Sequence, residues 1–139
     1  MLNKKEFESL SDFRYRLRRF QRFSEQAVKK AGVTPLQYLL LLHIKGYPGR
    51  EWATVGELAE RLQTQHHGVV ALISRCEELG LVTRKASAED GRRVEAHLTH
   101  KGERCVAKLA ALHRDELATL RAEFLLPASL TSRPNARET

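Results

Sequence analysis

Phe7, Leu10, Phe13, Leu17, Phe20, Ala27, Val28 and Ala31 recur at spacings near three and four. That period predicts a long amphipathic helix over about residues 4–31. Its other faces carry Arg14, Arg16, Arg18, Arg19 and Arg22. Gly32 suits the position just past a helix end. Thr34-Pro35-Leu36-Gln37 reads as a capping box with proline in the first turn. Leu36, Leu39, Leu40, Leu42 and Ile44 then make the next helix apolar nearly all round, so it is expected to be central and buried. Gly46 to Arg50 is a turn-rich loop.

Thr54-Val55-Gly56-Glu57 is a second capping box, opening a helix to about Leu62 with Leu58, Ala59 and Leu62 on its buried side. The polar turn Gln63-Thr64-Gln65 leads into a helix through about Leu79, striped by Val69, Leu72, Ile73 and Cys76 and stopped by Gly80. Residues 81–85 and 94–98 read as paired antiparallel strands around a polar tip, Ala86 to Arg93. Thr99 caps a last long helix, with Gly102 tolerated in its first turn. Val106, Leu109, Leu112, Leu117, Leu120 and Phe124 line one side of that helix. The five-residue gap after Leu112 breaks the phase and suggests a bend or a new helix near Asp115. Pro127 ends it.

The expected fold is mostly α with a small β-hairpin wing. A winged helix-turn-helix, residues 54–99, is flanked by long terminal dimerisation helices, 4–31 and 99–126. Residues 1–126 form a single domain, followed by a polar C-terminal tail, 127–139. A helix of about 25 residues runs roughly 40 Å. One small domain does not cover that length, and a second copy of the chain is the simplest partner for the remaining apolar stripe.

Composition sharpens this outline. Lys and Arg number 24 against 17 Asp and Glu, a net charge of +7. A basic balance favours polyanionic partners, nucleic acid before an anionic membrane. The start, MLNKKEFESL, has no apolar core of a signal peptide, and the longest apolar run, Leu39 to Leu42, is too short to span a bilayer. Cys76 and Cys105 show no metal or redox spacing, so they read as free thiols in a reducing cytoplasm or, alternatively, as a redox switch. A cytoplasmic protein without cofactor or bound metal and without membrane attachment is expected.

A winged helix-turn-helix can lay its second helix in the DNA major groove while its hairpin reaches the adjacent backbone. The exposed face of the second helix offers Gln65, His66, His67, Ala71, Ser74 and Arg75. Gly68 permits close backbone approach, and Val70 can touch a thymine methyl. An exposed polar turn is the alternative for His66-His67. At the hairpin tip, Arg92 and Arg93 suit the enhanced negative potential of a narrow minor groove, or they form a solvated turn. Asp90 is expected to orient an arginine, with Arg75 a candidate.

The arrangement resembles the multiple-antibiotic-resistance regulator (MarR) family of bacterial transcription factors over about residues 7–125. The resemblance rests on Glu57-Leu58-Ala59-Glu60-Arg61-Leu62, on Glu77-Glu78-Leu79-Gly80-Leu81-Val82, and on Asp90-Gly91-Arg92 leading to Leu98-Thr99-His100-Lys101-Gly102. It implies a homodimer clamped by its terminal helices, with recognition helices in major grooves and wings in minor grooves. It also implies release of DNA by a small, often aromatic, acid. Asp90 matches the family's wing aspartate and Arg92 its wing-tip arginine. Ser87 and Glu89 replace the usual first Asp and Arg, and Gly91 sits at the tip.

Phe13, Phe20, Tyr38 and Trp52, with Arg16 or Arg19 for a carboxylate, are the candidate effector pocket; core packing with surface charge is the other reading. His43, His97, His100 and His113 lack the tight spacing of a metal site, and no phosphate loop or nucleophile elbow is present. A non-enzymatic, dimeric, sequence-specific DNA-binding regulator, most simply a repressor, is the expected function. A winged-helix module for protein association is the rival, with a small metal hydrolase third.

Overall fold

Both capping boxes form, and they set the helical framework. In the computed structural model, which describes residues 1–120, Thr34 accepts from the Gln37 backbone amide at 3.2 Å while the Gln37 side chain accepts from Thr34 N at 2.9 Å. Thr54 and Glu57 repeat the arrangement at 3.3 and 2.9 Å. The elements run α1 (Lys4–Lys30), α2 (Pro35–Lys45), β1 (Trp52–Thr54), α3 (Val55–Leu62), α4 (His66–Glu78), β2 (Val82–Ala86), β3 (Val94–Leu98) and α5 (His100–Leu120). Phe124, Pro127 and the expected tail lie outside the described residues. The described chain groups into two units, residues 25–112 and residues 1–24 with 113–120.

The core lies in the 25–112 unit. Val28, Leu40, Leu41, Ile44, Leu58, Val69, Ile73, Cys76, Val82, Val106 and Leu109 are fully or almost fully buried there. The helix α2 is central as expected, but its burial is one-sided: Leu36 and Leu39 stay exposed at 47% and 37%. An all-apolar stretch hides which face the chain itself covers. The sheet has three strands in the order β1-β3-β2, both pairings antiparallel. The third strand, Trp52-Ala53-Thr54, carries no readable alternation at three residues, and it forms because β3 offers a free edge to Trp52 opposite His97.

A tight joint ties the end of α4 to the start of α5. Gly80, at φ +74°, turns the chain out of α4. The carbonyls left open there are met by α5 and the residue before it: Lys101 Nζ donates to Leu79 O at 2.8 Å, and Thr99 donates through Oγ1 to Gly80 O at 2.5 Å and through N to Leu81 O at 3.1 Å. A cation at a helix C-terminus also meets the negative end of its dipole. Gly102 is required here rather than merely tolerated, because a Cβ would stand 2.0 Å from Leu81 O.

In the second unit, His113 is buried in T-shaped contact with Phe20 and Phe23, each 5.9 Å away, and its Nε2 lies 2.7 Å from Ser24 Oγ. Arg16 pairs with Asp12 at 2.8 Å. No new helix begins near Asp115; α5 is assigned as one helix, His100–Leu120. Its buried stripe runs Val106, Leu109, His113, and the histidine fills the turn that a count of apolar residues leaves empty. Leu112 and Leu117 are exposed at 42% and 44%, as are Phe7 and Leu10 on α1 at 54% and 38%.

Candidate nucleic-acid interface

The helix-turn-helix is α3, the turn Gln63–Gln65, and α4. Gln63 takes the left-handed conformation at φ 51° that ends α3, with its side chain donating to Glu60 O at 2.7 Å. Gln65 occupies the N-cap of α4 without a side-chain capping bond. Beyond it Val69, Ile73 and Cys76 face the core, leaving His66, His67, Val70, Ala71 and Arg75 exposed. Gly68 serves the turn itself, since a Cβ there would press to 3.0 Å from Thr64 Cγ2. Ser74 is half-buried and is engaged twice: its hydroxyl donates to Val70 O at 3.1 Å and receives a hydrogen bond from Arg84 of β2.

The wing tip is organised by Asp90. Its Oδ1 accepts from Arg92 N at 3.0 Å, its carbonyl accepts from Arg93 N at 2.9 Å, and its Oδ2 stands 3.9 Å from Arg93 Nε. The side-chain charge nearest Asp90 is thus Arg93 of its own turn, and among the described residues no ion pair joins Asp90 to Arg75, the partner the sequence suggested. Ser87 closes the other side, accepting from Glu89 N and Asp90 N at 3.3 and 3.4 Å.

Between wing and helix-turn-helix lies a groove of about 470 Å³, lined by Thr54, Val55, Gly56 and Glu57 of the α3 start, His66 and Val70 of α4, and Arg92, Arg93 and Val94 of the wing. Two guanidinium groups on its wall favour an anion. The acidic wall residue, Glu57, is already committed. Burial would raise its carboxyl, but hydrogen bonds from Tyr47 and Thr54 and the Arg50 charge outweigh that and hold it at about 2.

Arg50 is the centre of a stack that sequence reading did not single out. Its guanidinium lies 4.3 Å from the Tyr47 ring centre and 3.8 Å from that of Trp52, and it pairs with Glu57. Trp52 stacks in turn on His97 at 6.1 Å, and His97 lies 3.0 Å from Glu95. The stack fixes β1 and the loop before it against the start of α3. Its only signal in the sequence is aromatic and basic residues alternating through the turn at 47–52.

The candidate effector residues are divided. Phe13, Arg16 and Phe20 belong to the unit of residues 1–24 and 113–120, while Tyr38 and Trp52 belong to the other. Tyr38 is 4% exposed and part of the core, where burial pushes its phenol up. Trp52 is held by Arg50 and His97. Among the described residues no group of three or more His, Cys, Asp or Glu is placed to hold a metal ion, and no helix is long and apolar enough to cross a membrane. Cys76 is buried, and burial followed by the nearby Cys105 thiol pushes it up to about 11.

Residues 31–93, from the end of α1 through the wing tip, match the model of the MarR family. The HTH-type transcriptional repressor MdtR of Bacillus subtilis is 29% identical over 108 residues, covering 75% of this chain and 68% of its own. AbsC, a MarR family transcriptional regulator from Streptomyces coelicolor, shares the fold with a TM-score of 0.75 at 23% identity, covering 94% of this chain and 88% of its own. The S. aureus MepR–DNA complex superposes with a TM-score of 0.63 at 23% identity, covering 86% and 92%. The helix-turn-helix joined to a three-stranded wing is the fold of these solved structures, and residues 31–93 match the MarR family model.

Proposed function

We propose that this chain is a transcriptional repressor that binds double-stranded DNA as a homodimer through α4 and the wing. One observation carries the reading. The groove brings His66 and Val70 of α4 together with Arg92 and Arg93 of the wing. A helix that enters a major groove and a hairpin that reaches the neighbouring minor groove leave a phosphate strand between them, and a cationic groove fits that strand. Gln65 at the N-cap and the exposed α4 residues His67, Ala71 and Arg75 then face base edges. MepR, a neighbour in fold, is a protein seen with DNA, and repression follows the function named for MdtR. The homodimer is supported by Phe7, Leu10, Leu112 and Leu117, apolar residues of the terminal helices that the chain leaves exposed.

Titrating the protein into a labelled mixed-sequence DNA duplex tests this, with scattering mass measured on the same sample. Binding that weakens steadily with salt is expected, by a dimeric species. No binding at low salt from folded protein would transfer the fold to protein association.

A further inference from the structure

The recognition helix is poor in positive charge. Its thirteen residues, HHGVVALISRCEE, include one arginine, in the last turn, and no lysine. The wing strand β2 supplies what α4 lacks. Arg84 follows the buried Val82 by two residues, so it projects to the same side of the sheet, towards α4. There its Nη2 donates to Ser74 Oγ and, at 3.4 Å, to Val70 O. Ser74 Oγ itself donates to Val70 O at 3.1 Å, so serine, carbonyl and guanidinium close a small ring on the exposed side of α4. A guanidinium has five N–H donors in a rigid plane. The two on Nη2 are directed at α4, which orients the plane and leaves Nε and Nη1 with three donors at an exposed residue. Val70, one of its anchors, also lines the groove that holds Arg92 and Arg93.

We propose that Arg84 is a DNA-backbone contact: α4 holds one edge of its guanidinium, and the other edge receives a phosphate of the strand running between recognition helix and wing. Ser74 accordingly acts as a positioning residue for Arg84 and does not read a base. The inference rests on the proposed DNA binding and adds a phosphate ligand to a residue that looks, from the strand pattern, like a solvated side chain. Planarity matters here, because a lysine ammonium keeps the charge but cannot satisfy Ser74, Val70 and a phosphate in one plane.

The test compares Arg84→Met, Arg84→Lys and Ser74→Ala with wild type on a mixed-sequence duplex and on sequences that the wild type selects from that pool. Wild-type binding must be present, and its absence would refute the proposed function rather than this inference. Given that binding, Arg84→Met is expected to weaken both kinds of DNA alike and to lower the slope of log K against log salt by about 0.9 for each phosphate no longer neutralised. Arg84→Lys is expected to keep the slope with part of the affinity lost. Ser74→Ala is expected to weaken binding evenly, with the same slope and the same selected sequence. An unchanged slope for a folded Arg84→Met overturns the phosphate contact. A changed sequence preference in Ser74→Ala overturns the positioning role, and decides the matter should Arg84→Met fail to fold.

Discussion

Single side chains in this chain are governed by what surrounds them. Cys76 sits at an apolar position of α4, and the stripe Val69, Ile73, Cys76 made that burial readable in advance. With its thiol pushed to about 11, the thiolate that reacts is scarce at neutral pH. Thiol reagent is therefore expected to label Cys76 only as fast as the protein opens, and Cys76→Ser to cost on the order of 1 kcal/mol or more through a buried hydroxyl, read by denaturant unfolding. Rapid labelling of the native protein would contradict this. Glu57 behaves in the opposite sense. Its carboxyl at about 2 lies below the ordinary value of 4.5, so the folded state favours the carboxylate. The resulting stability is fully present above the ordinary value and is lost as pH falls from about 4.5 through 2. Thermal melts across that window are expected to fall less steeply for Glu57→Gln than for wild type. The capping role of Glu57 was legible from Thr54-Val55-Gly56-Glu57. Its bond to Tyr47 and pairing with Arg50 were not, because a spacing of seven or ten residues across a loop has no period.

At the scale of elements, periodicity and punctuation located the helices closely. The proline of α2, the capping residues and Gly80 act within one turn of themselves, so their effects are written locally. What escaped were contacts between elements. Nothing local distinguishes a glycine that a helix tolerates from Gly102, whose missing Cβ lets α5 rest on Leu81 O. Gly102→Ala is expected to force that joint apart and to destabilise the fold by roughly 1–3 kcal/mol, the usual range for overpacking. Ala107, exposed on the same helix, provides the control: Ala107→Gly is expected to cost up to about 1 kcal/mol by helix propensity alone. Equal effects in chemical denaturation would show that the close approach carries no energy. The same blindness explains β1, which is a strand because β3 has an edge, and His113, a polar residue inside an apolar stripe because Ser24 provides a partner.

For the whole molecule, the order of elements made the winged helix-turn-helix legible, while the reach of the candidate site depends on contacts between distant segments: Arg92 and Arg93 were readable as a wing tip, but the groove they share with His66 was not. Phe7 and Leu10 are exposed within the chain, so Phe7→Glu with Leu10→Glu is expected to leave the monomer folded and break the proposed dimer. Light scattering should fall from twice the 15.9 kDa chain mass to that of one chain, and an unchanged mass would place the interface elsewhere. The central claim is that α4 reads sequence while the wing holds backbone. It is tested most directly by titrating His67→Ala and Arg92→Ala against selected and mixed-sequence duplexes over a range of salt. The account expects His67→Ala to lose about 1–3 kcal/mol per half-site on the selected sequence and far less on mixed DNA. Arg92→Ala should weaken both alike and lower the salt slope by about 0.9 per lost phosphate contact. Folded variants that both bind as wild type does would contradict it.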